Sequence, residues 1–433
     1  EVHNGRWQFA HDKLRESLLN ELPIEEKTHL HRLIAETIEA VYPDSVVYAE
    51  ALAEHWYMAG DGVKTAKYAC IAGEQALLVG NFHVAQTQLG RGLVLLPDEG
   101  YEPLKAELLK YLGALHWRSS DYPQAIRFYT ESAEIATKIN DKSAIAEAYN
   151  GLSFVECLID DYDKAQVHAQ IALDNARVAR DKRNTARSLS NLGIVAESQQ
   201  DFMGARALYD ESVHIFRMID DERGLASALN NAGSVADSLG DYDTAKACYE
   251  ESLGLCRKIG YRHGIATLSN NLGVLYERLS QYNTAWEYYQ ESLSVSNNIR
   301  DRRGSAHAFI NLVYTAIELG RVSDSRQYIR SAILAVKDGY APNIVPHIIA
   351  GAGFLYLQMN MLERVAILIG QLEHIPHDHD FKTLRLGTLL KELSEKMSID
   401  DIQLVAKNQT PRPPMDILDE VLEDFMRFDN KRF

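Results

Sequence analysis

Residues 185–224, TARSLSNLGIVAESQQDFMGARALYDESVHIFRMIDDERG, carry the pattern that decides the fold. Apolar and small residues recur at i, i+3, i+4 and i+7 from Leu189, and the same spacing starts again at Ala205. Such spacing places side chains on one face of a helix, so the stretch predicts two amphipathic helices. Residues 199–202, Gln-Gln-Asp-Phe, lie between them and predict a turn.

The small residues of this stretch predict how the two helices pack. Gly193 and Ala205 let the helix backbones approach closely, and we expect Tyr209 to fill the gap toward the next repeat. The segment Asp221–Gly224 predicts a second turn that leads to the next pair of helices. One pair cannot bury both of its faces, so neighbouring pairs must stack into a solenoid.

The same pattern returns along the chain with a period of 40 residues. The turn before each second helix recurs as Asp121-Tyr122, Asp161-Tyr162, Asp201-Phe202, Asp241-Tyr242 and Gln281-Tyr282. An alanine follows four residues after each Asp or Gln, and Glu-Ser pairs begin at Glu131, Glu211, Glu251 and Glu291. This recurrence predicts repeats that start near residues 105, 145, 185, 225, 265 and 305.

The spacing of Leu189, Leu192, Gly193, Ala205 and Tyr209 resembles the tetratricopeptide repeat (TPR), a helix-turn-helix motif of about 34 residues. The longer repeat resembles kinesin-light-chain-like and bacterial regulatory variants. The resemblance implies an all-α TPR superhelical solenoid of about 40-residue helix-turn-helix repeats. It fades after residue 341.

The N-terminal residues differ from the repeats. His3-Asn4-Gly5-Arg6 predicts a hairpin turn, and an amphipathic helix is predicted from His11 onward. With the helix around 30–35, this segment resembles the end of the winged-helix domain of STAND signalling ATPases, where it joins a P-loop ATPase module to a repeat-containing sensor. The resemblance implies that His11 contacts the β-phosphate of ADP in an intact protein. Alternatively, His11 only neighbours the N-cap of the next helix. The 433 residues contain no P-loop motif.

These observations divide the chain into four expected segments. They are the winged-helix remnant at 1–22, a helical linker with irregular TPR-like units at 23–100, the TPR solenoid at 101–340 and a C-terminal helical cap at 341–433. In the cap we expect a helix at Val365–Gly370 and a last amphipathic helix from Met415 to Phe428. A solenoid needs such an atypical terminal unit to cover its open apolar face.

Composition narrows the class of partner. Lys and Arg total 45 and Asp and Glu total 61, which gives a net charge of −16. This charge argues against nucleic acid and against anionic membrane surfaces as partners. The four cysteines have no CxxC spacing and predict reduced thiols in a cytoplasmic protein; they are Cys70, Cys157, Cys248 and Cys256.

Asparagines recur at matching phase in the first helices of the repeats. In TPR proteins this helix lines the concave groove, and the resemblance places Asn150, Asn191, Asn230, Asn231, Asn270, Asn271 and Asn311 there. Asn is unfavourable inside a helix, so its recurrence requires a cause. An amide donates and accepts, and therefore suits the backbone of an extended peptide. Alternatively, some of these amides bond to the neighbouring helix and fix repeat stacking.

The same mapping surrounds the asparagines with charged and aromatic groups. As ligand-binding candidates we take Lys110, Arg187, Arg278 and Tyr314. The mixture fits a peptide or protein segment better than a uniformly charged ligand.

No catalytic motif stands out in the sequence. His374, His377 and His379, with Asp378 and Asp380, form the densest metal-like cluster, but Pro376 favours an exposed loop. We therefore expect no enzyme activity, no metal and no cofactor.

Two functions fit these patterns. The first is the sensor region of a STAND NTPase, which binds a peptide or protein trigger in the TPR groove and relays it to an ATPase module. The alternative is a stand-alone TPR peptide-pheromone receptor or a protein–protein interaction scaffold.

Overall fold

A computed structural model describes residues 2–3, 6–7, 21–43, 46–97, 99–337, 344–375, 385–407 and 409–430. Near the N-terminus, strand β1 (Val2–His3) pairs antiparallel with β2 (Arg6–Trp7). The predicted hairpin is therefore confirmed. The winged helix itself stays a prediction, and His11 lies outside the described residues.

The rest of the described chain is helical and divides into two compact units, Glu1–Gly224 (unit 1) and Leu225–Phe433 (unit 2). Unit 1 contains α1 (Ile24–Val41), a 3₁₀ turn (Val46–Tyr48), α2 (Ala49–Met58), α3 (Gly62–Leu78), α4 (Phe82–Leu95), α5 (Glu102–Arg118), α6 (Tyr122–Lys138), α7 (Lys142–Leu158), α8 (Tyr162–Ala179), α9 (Lys182–Ser198) and α10 (Phe202–Met218). Helix α11 (Glu222–Ser238) begins at the end of unit 1 and continues in unit 2. Unit 2 then contains α12 (Tyr242–Lys258), α13 (Arg262–Arg278), α14 (Tyr282–Asn298), α15 (Arg302–Glu318), α16 (Val322–Lys337), α17 (Val345–Gln358), α18 (Leu362–Leu372), α19 (Gly387–Ser394), α20 (Ile399–Lys407) and α21 (Pro414–Asn430).

The turn between the two helices of a repeat has a constant geometry. At Gln200 the backbone is left-handed, with φ of 63°. The next residue, Asp201, donates its N–H to the carbonyl of Ala196 at 2.9 Å and accepts the N–H of Gly204 at 2.9 Å, so it closes one helix and caps the next. Equivalent turns are Ser120-Asp121, Asp160-Asp161 and Gly240-Asp241. Each such cap contributes about 1 kcal/mol to the free energy of unfolding. The periodic aspartates are therefore turn formers, as predicted.

A tyrosine of the second helix packs on a glycine of the first. The ring of Tyr209 lies so close to Gly193 that a Cβ built on that glycine would be 2.5 Å from Cε1 of the tyrosine. The ring therefore fills the contact inside its own repeat, and its predicted contact with the next repeat stays a prediction. Tyr129 does both, because it contacts Gly113 of its own repeat and Gly151 of the next.

The recurring Glu-Ser pairs also have a structural role. Ser212 is fully buried and donates its hydroxyl to the carbonyl of Ala186 at 2.8 Å. The same bond, at 2.7 to 2.8 Å, joins Ser132 to Ala106, Ser252 to Ala226 and Ser292 to Ala266. Each serine thereby fixes the second helix against the backbone of the first and satisfies a buried hydroxyl.

The C-terminal helices of unit 2 form a packed cluster. Tyr356 of α17 donates its hydroxyl to Asp424 of α21 at 2.9 Å, and Nη2 of Arg364 on α18 lies 3.3 Å from the same carboxylate. Phe425 is fully buried beside the ring of Tyr356. The two predicted terminal helices are confirmed as α18 and α21. The boundaries of a cap domain stay a prediction.

Two further findings concern the class of protein. None of the helices in the described ranges is long and apolar enough to cross a membrane. The cysteines are free thiols, of which three are buried.

The glycine–tyrosine contact predicts that adding one methyl group at the glycine lowers stability markedly. A Cβ at Gly273 would lie 2.4 Å from Cε1 of Tyr289, whose side chain is fully buried and fixed by its hydroxyl bond to Glu277. Gly273→Ala should therefore lower the free energy of unfolding by about 1–3 kcal/mol. Equilibrium denaturation followed by circular dichroism measures this change.

The matched control is Gly254→Ala, on an exposed position of α12 where a Cβ would meet no atom within 4 Å. It should raise the free energy of unfolding by about 0.5–1 kcal/mol through helix propensity. Equal effects of the two substitutions would contradict this account of the packing.

Candidate ligand-binding face

The candidate site lies on the first helices of the repeats, α5, α7 and α9 in unit 1 and α11, α13 and α15 in unit 2. Consecutive first helices contact one another within each unit, α5 with α7 and α7 with α9, and α13 with α15. We call the surface that they form in either unit the first-helix face of that unit.

In unit 1 the predicted asparagines lie inside the stack. Asn150 is fully buried; its Nδ2 donates to the carbonyl of Asn184 at 3.2 Å and its Oδ1 accepts the hydroxyl of Ser188 at 2.9 Å. Asn191 is 7% exposed and donates to the backbone carbonyl of Asn150 at 3.0 Å. The sequence predicted that Asn150 contacts the ligand. This prediction is wrong, because the side chain is fully buried and its amide bonds neighbouring repeats together. Sequence reasoning missed Asn184 and Ser188, which complete the cluster.

In unit 2 the asparagines form a ladder between repeats. Asn271 donates its Nδ2 to Oδ1 of Asn230 at 2.9 Å, and Asn311 donates to Oδ1 of Asn270 at 2.9 Å. Within α11, Asn230 donates to Oδ1 of Asn231 at 3.3 Å. The residues of each inter-repeat pair are 41 positions apart, so these bonds fix the stacking that the sequence left as an alternative.

The ladder of unit 2 also leaves amide groups uncommitted. The five asparagines are half-buried, unlike Asn150. Each inter-repeat bond uses the NH₂ group of one amide and the oxygen of the other. The oxygen of Asn271 and the NH₂ group of Asn270 have no side-chain partner among the described residues. The ladder therefore fixes the orientation of amides that retain hydrogen-bonding capacity.

The predicted cations are paired to different degrees. Nζ of Lys110 lies 2.6 Å from Oε2 of Glu147. Arg187 is exposed, and its Nη1 lies 3.4 Å from Oδ1 of Asn184. Nε of Arg278 lies 3.3 Å from Oδ2 of Asp237. Lys110 and Arg278 are therefore held by carboxylates of the neighbouring first helix.

Asp237 is the most unusual carboxylate on this face. Its Oδ1 is buried and has no hydrogen-bond partner among the described residues. Burial raises the pKa of Asp237, and the charge of Arg278 opposes this shift only in part. An incompletely paired buried acceptor of this kind favours contact with a further donor.

The predicted residue Tyr314 is 5% exposed and takes part in a second polar cluster. The guanidinium of Arg385 lies 3.9 Å from the centre of its ring, and Nη2 of Arg385 lies 2.9 Å from Oε1 of Glu277. Burial disfavours the charge of Arg385, but the attraction of Glu277 and Tyr314 outweighs it and raises the pKa of this arginine. Sequence reasoning missed Arg385, because no repeat phase connects it to Glu277, 108 residues away.

On the described part of the chain, no group of three or more His, Cys, Asp and Glu side chains could hold a metal ion. His374 is exposed just after α18. The remainder of the metal-like cluster, residues 376–380, lies outside the described residues.

The repeats match a known family model. A tetratricopeptide-repeat model matches residues 103–177, 144–218, 184–258 and 224–298. With the repeated helix pairs, these overlapping matches show that the chain folds as an all-α solenoid of tandem tetratricopeptide repeats. No curated protein matches this chain by sequence.

Solved structures share this fold. A STAND protein with a tetratricopeptide repeat sensor from Pyrococcus horikoshii is 15% identical with a TM-score of 0.56, covering 92% of this chain and 57% of that chain. A Rap protein complexed with Competence and Sporulation Factor is 16% identical with a TM-score of 0.55, covering 87% of this chain and 100% of that chain. The apo form of RapI is 15% identical with a TM-score of 0.50, and the match covers 63% of this chain and 99% of that chain. At these identities the likeness shows the fold alone.

The asparagine ladder can be tested by a double-mutant cycle on its first rung. Asn230→Ala and Asn271→Ala each remove the same 2.9 Å bond, so the double variant should lose less stability than the sum of the single variants. We expect a coupling energy of about 0.5–1.5 kcal/mol, measured by urea denaturation.

Asn271→Ala combined with Asn298→Ala is the control. Asn298 is exposed on α14 and shares no bond with the ladder, so the two effects should add within about 0.5 kcal/mol. If the coupling energy between Asn230 and Asn271 is no larger than that between Asn271 and Asn298, the ladder bond does not stabilise the stacking of the repeats.

Proposed function

We propose that this chain is a ligand-recognition region that binds an extended peptide or protein segment on the first-helix face, and that it acts by binding and not by catalysis. The observation that carries the proposal is the ladder of unit 2, with its half-buried and mutually oriented amides. A peptide backbone presents alternating donors and acceptors that such amides can match. Arg278 lies on the same helix as Asn270 and Asn271 and supplies charge for ligand side chains. The ring of Tyr314 is 5% exposed and is covered by Arg385, so a ligand would reach it only in place of that guanidinium.

The residues of unit 1 have a narrower role in this proposal. Lys110 and Arg187 supply positive charge on the first-helix face of unit 1, while Asn150 and Asn191 hold the repeats of that unit together. Exposed cations on the first helices can contact acidic groups of the ligand. The net charge of the whole chain is −16, so these cations do not make nucleic acid a favoured partner.

We further propose that the chain is the sensor of a STAND-type NTPase in the cytoplasm. The match that covers 92% of this chain supports this role, because the matched protein is a STAND protein with a tetratricopeptide repeat sensor. The β1–β2 hairpin precedes the helical region, as expected for the end of a winged helix. An ATPase module would receive the signal, and His11 would sense its nucleotide.

The alternative is a stand-alone peptide receptor or scaffold. It is favoured by the match to the Rap protein complexed with Competence and Sporulation Factor, of which 100% is covered. The genomic sequence upstream of Glu1 discriminates the two. A P-loop and a Walker B motif there would support the STAND sensor, and a start codon immediately before Glu1 would support the alternative.

Binding on the ladder can be tested with peptides selected on the purified chain. A random-peptide display library would be panned against the 433-residue chain, and enriched peptides would be synthesised and titrated by calorimetry. The test variant replaces Asn230, Asn231, Asn270 and Asn271 with Ala. Each lost hydrogen bond is worth about 0.5–1.5 kcal/mol, so affinity should fall at least about 30-fold.

The control variant carries Asn175→Ala and Asn298→Ala, which lie on the second helices α8 and α14. It should bind the selected peptides as the parent does. Far-ultraviolet circular dichroism verifies that both variants keep their helices. A folded ladder variant with unchanged affinity would overturn the assignment of the binding face.

A further inference from the structure

Arg385 lies immediately before α19, yet its side chain contacts the first helices of two repeats. It contacts Glu277 on α13 through an ion pair of 2.9 Å and lies over the ring of Tyr314 on α15 at 3.9 Å. Glu277 and Tyr314 belong to the helices that carry the asparagine ladder. A side chain from outside the repeats therefore occupies a part of the first-helix face where the sequence predicted ligand contact.

The pocket that receives this guanidinium is rigid. Oε2 of Glu277 accepts the hydroxyl of Tyr289 at 2.9 Å, and the hydroxyl of Tyr314 donates to the carbonyl of His347 at 2.9 Å. Tyr289 is itself fixed against Gly273. A fixed carboxylate beside an aromatic face suits a planar guanidinium, which forms both an ion pair and a cation–π contact.

Arg385 is less firmly held than the helix that follows it. Its side chain remains 33% exposed. In contrast, Leu389 and Leu393 of α19 are fully buried, and Leu389 packs on Gly353 of α17. The packing of α19 rests on these leucines, so the guanidinium can leave the pocket without exposing them.

The charges around the pocket are balanced only while Arg385 is present. Asp237 pairs with Arg278, and Glu277 pairs with Arg385. Departure of Arg385 leaves the negative charge of Glu277 without this ion pair. The vacated pocket would therefore attract another cation.

We infer that Glu277, Tyr289 and Tyr314 form a subsite for a basic side chain of the ligand, above all arginine, and that Arg385 is an internal competitor for it. This rests on the proposed function, because it assumes that the first-helix face binds a peptide. It adds a chemical class of ligand and a competing contact within the chain. A ligand must displace Arg385. Its apparent affinity is therefore its intrinsic affinity multiplied by the fraction of molecules in which Arg385 has left the pocket.

Two matched peptide pools test this inference. Both are fluorescein-labelled random nonapeptides, one with arginine at the central position and the other with citrulline, which has nearly the same shape without the charge. Binding to the full 433-residue chain is followed by fluorescence anisotropy. Arg385→Ala should tighten binding of the arginine pool about 5- to 150-fold and leave the citrulline pool nearly unchanged. Glu277→Gln should remove the preference for arginine.

Lys391→Ala is the matched control, because Lys391 is an exposed cation on α19, six residues after Arg385. It should bind both pools as the parent does. Arg385→Gln keeps most of the side-chain stem and replaces Arg385→Ala if that variant fails to fold; the same tightening is expected.

The outcomes separate this inference from the proposed function. Equal binding of the two pools, or no tightening in either folded Arg385 variant, would overturn the subsite. If the ladder variant nevertheless loses binding of the selected peptides, the proposed function stands without it. If neither pool binds the parent or the Arg385 variants, and display selects no peptide, both are wrong.

Discussion

The close approach of two helices within each repeat is the constraint on which the structure depends. In the four repeats that begin with α5, α9, α11 and α13, a glycine on the first helix removes the Cβ that would block a tyrosine of the second, and a buried serine of the second helix bonds to the first helix's backbone. In the repeat that begins α13, Gly273 receives Tyr289 and the carbonyl of Ala266 accepts the hydroxyl of Ser292. The steric term sets the distance and the hydrogen bond sets the register. Neither works alone, because a loosely packed pair could slide and an over-packed pair would shift.

This constraint reaches the candidate site through the tyrosine hydroxyl. Tyr289 is buried against Gly273, and its hydroxyl then meets Glu277 one turn further along the same first helix. The packing contact therefore also orients a carboxylate at the surface of α13. The asparagine ladder has the same double character, since the bond between Asn271 and Asn230 joins two repeats and orients the remaining polar groups of both amides. On our proposal, the residues that hold repeats together in this solenoid also orient the surface that binds the ligand.

The sequence predicts most of the repeat fold because the fold's contacts are local and recur in phase. The turn at Asp201 and the helices on either side follow from spacing and capping chemistry, and the structure confirms them. The contact of Tyr209 with Gly193 was not predicted, because periodicity shows that a ring faces the core but not which neighbours it contacts. The sequence also does not show burial. Asn150 and Asn270 have the same phase in the 40-residue repeat, yet only Asn150 has Asn184 and Ser188 to satisfy its amide inside the stack.

Arg385 marks the limit of reasoning from repeats. It lies 108 residues from Glu277, outside any periodic segment, and nothing in its local sequence distinguishes it from other exposed arginines. Only the folded chain shows that α19 is anchored by Leu389 while the residue just before it crosses to the repeats. On our proposal this geometry gives the ligand a consequence beyond its own contacts. A basic ligand side chain that takes the carboxylate of Glu277 releases Arg385, and with it the ion pair that joins α13 to the residues just before α19. Ligand binding would thereby change how the C-terminal helices of unit 2 are held against its repeats, with no need for a change within the repeats themselves.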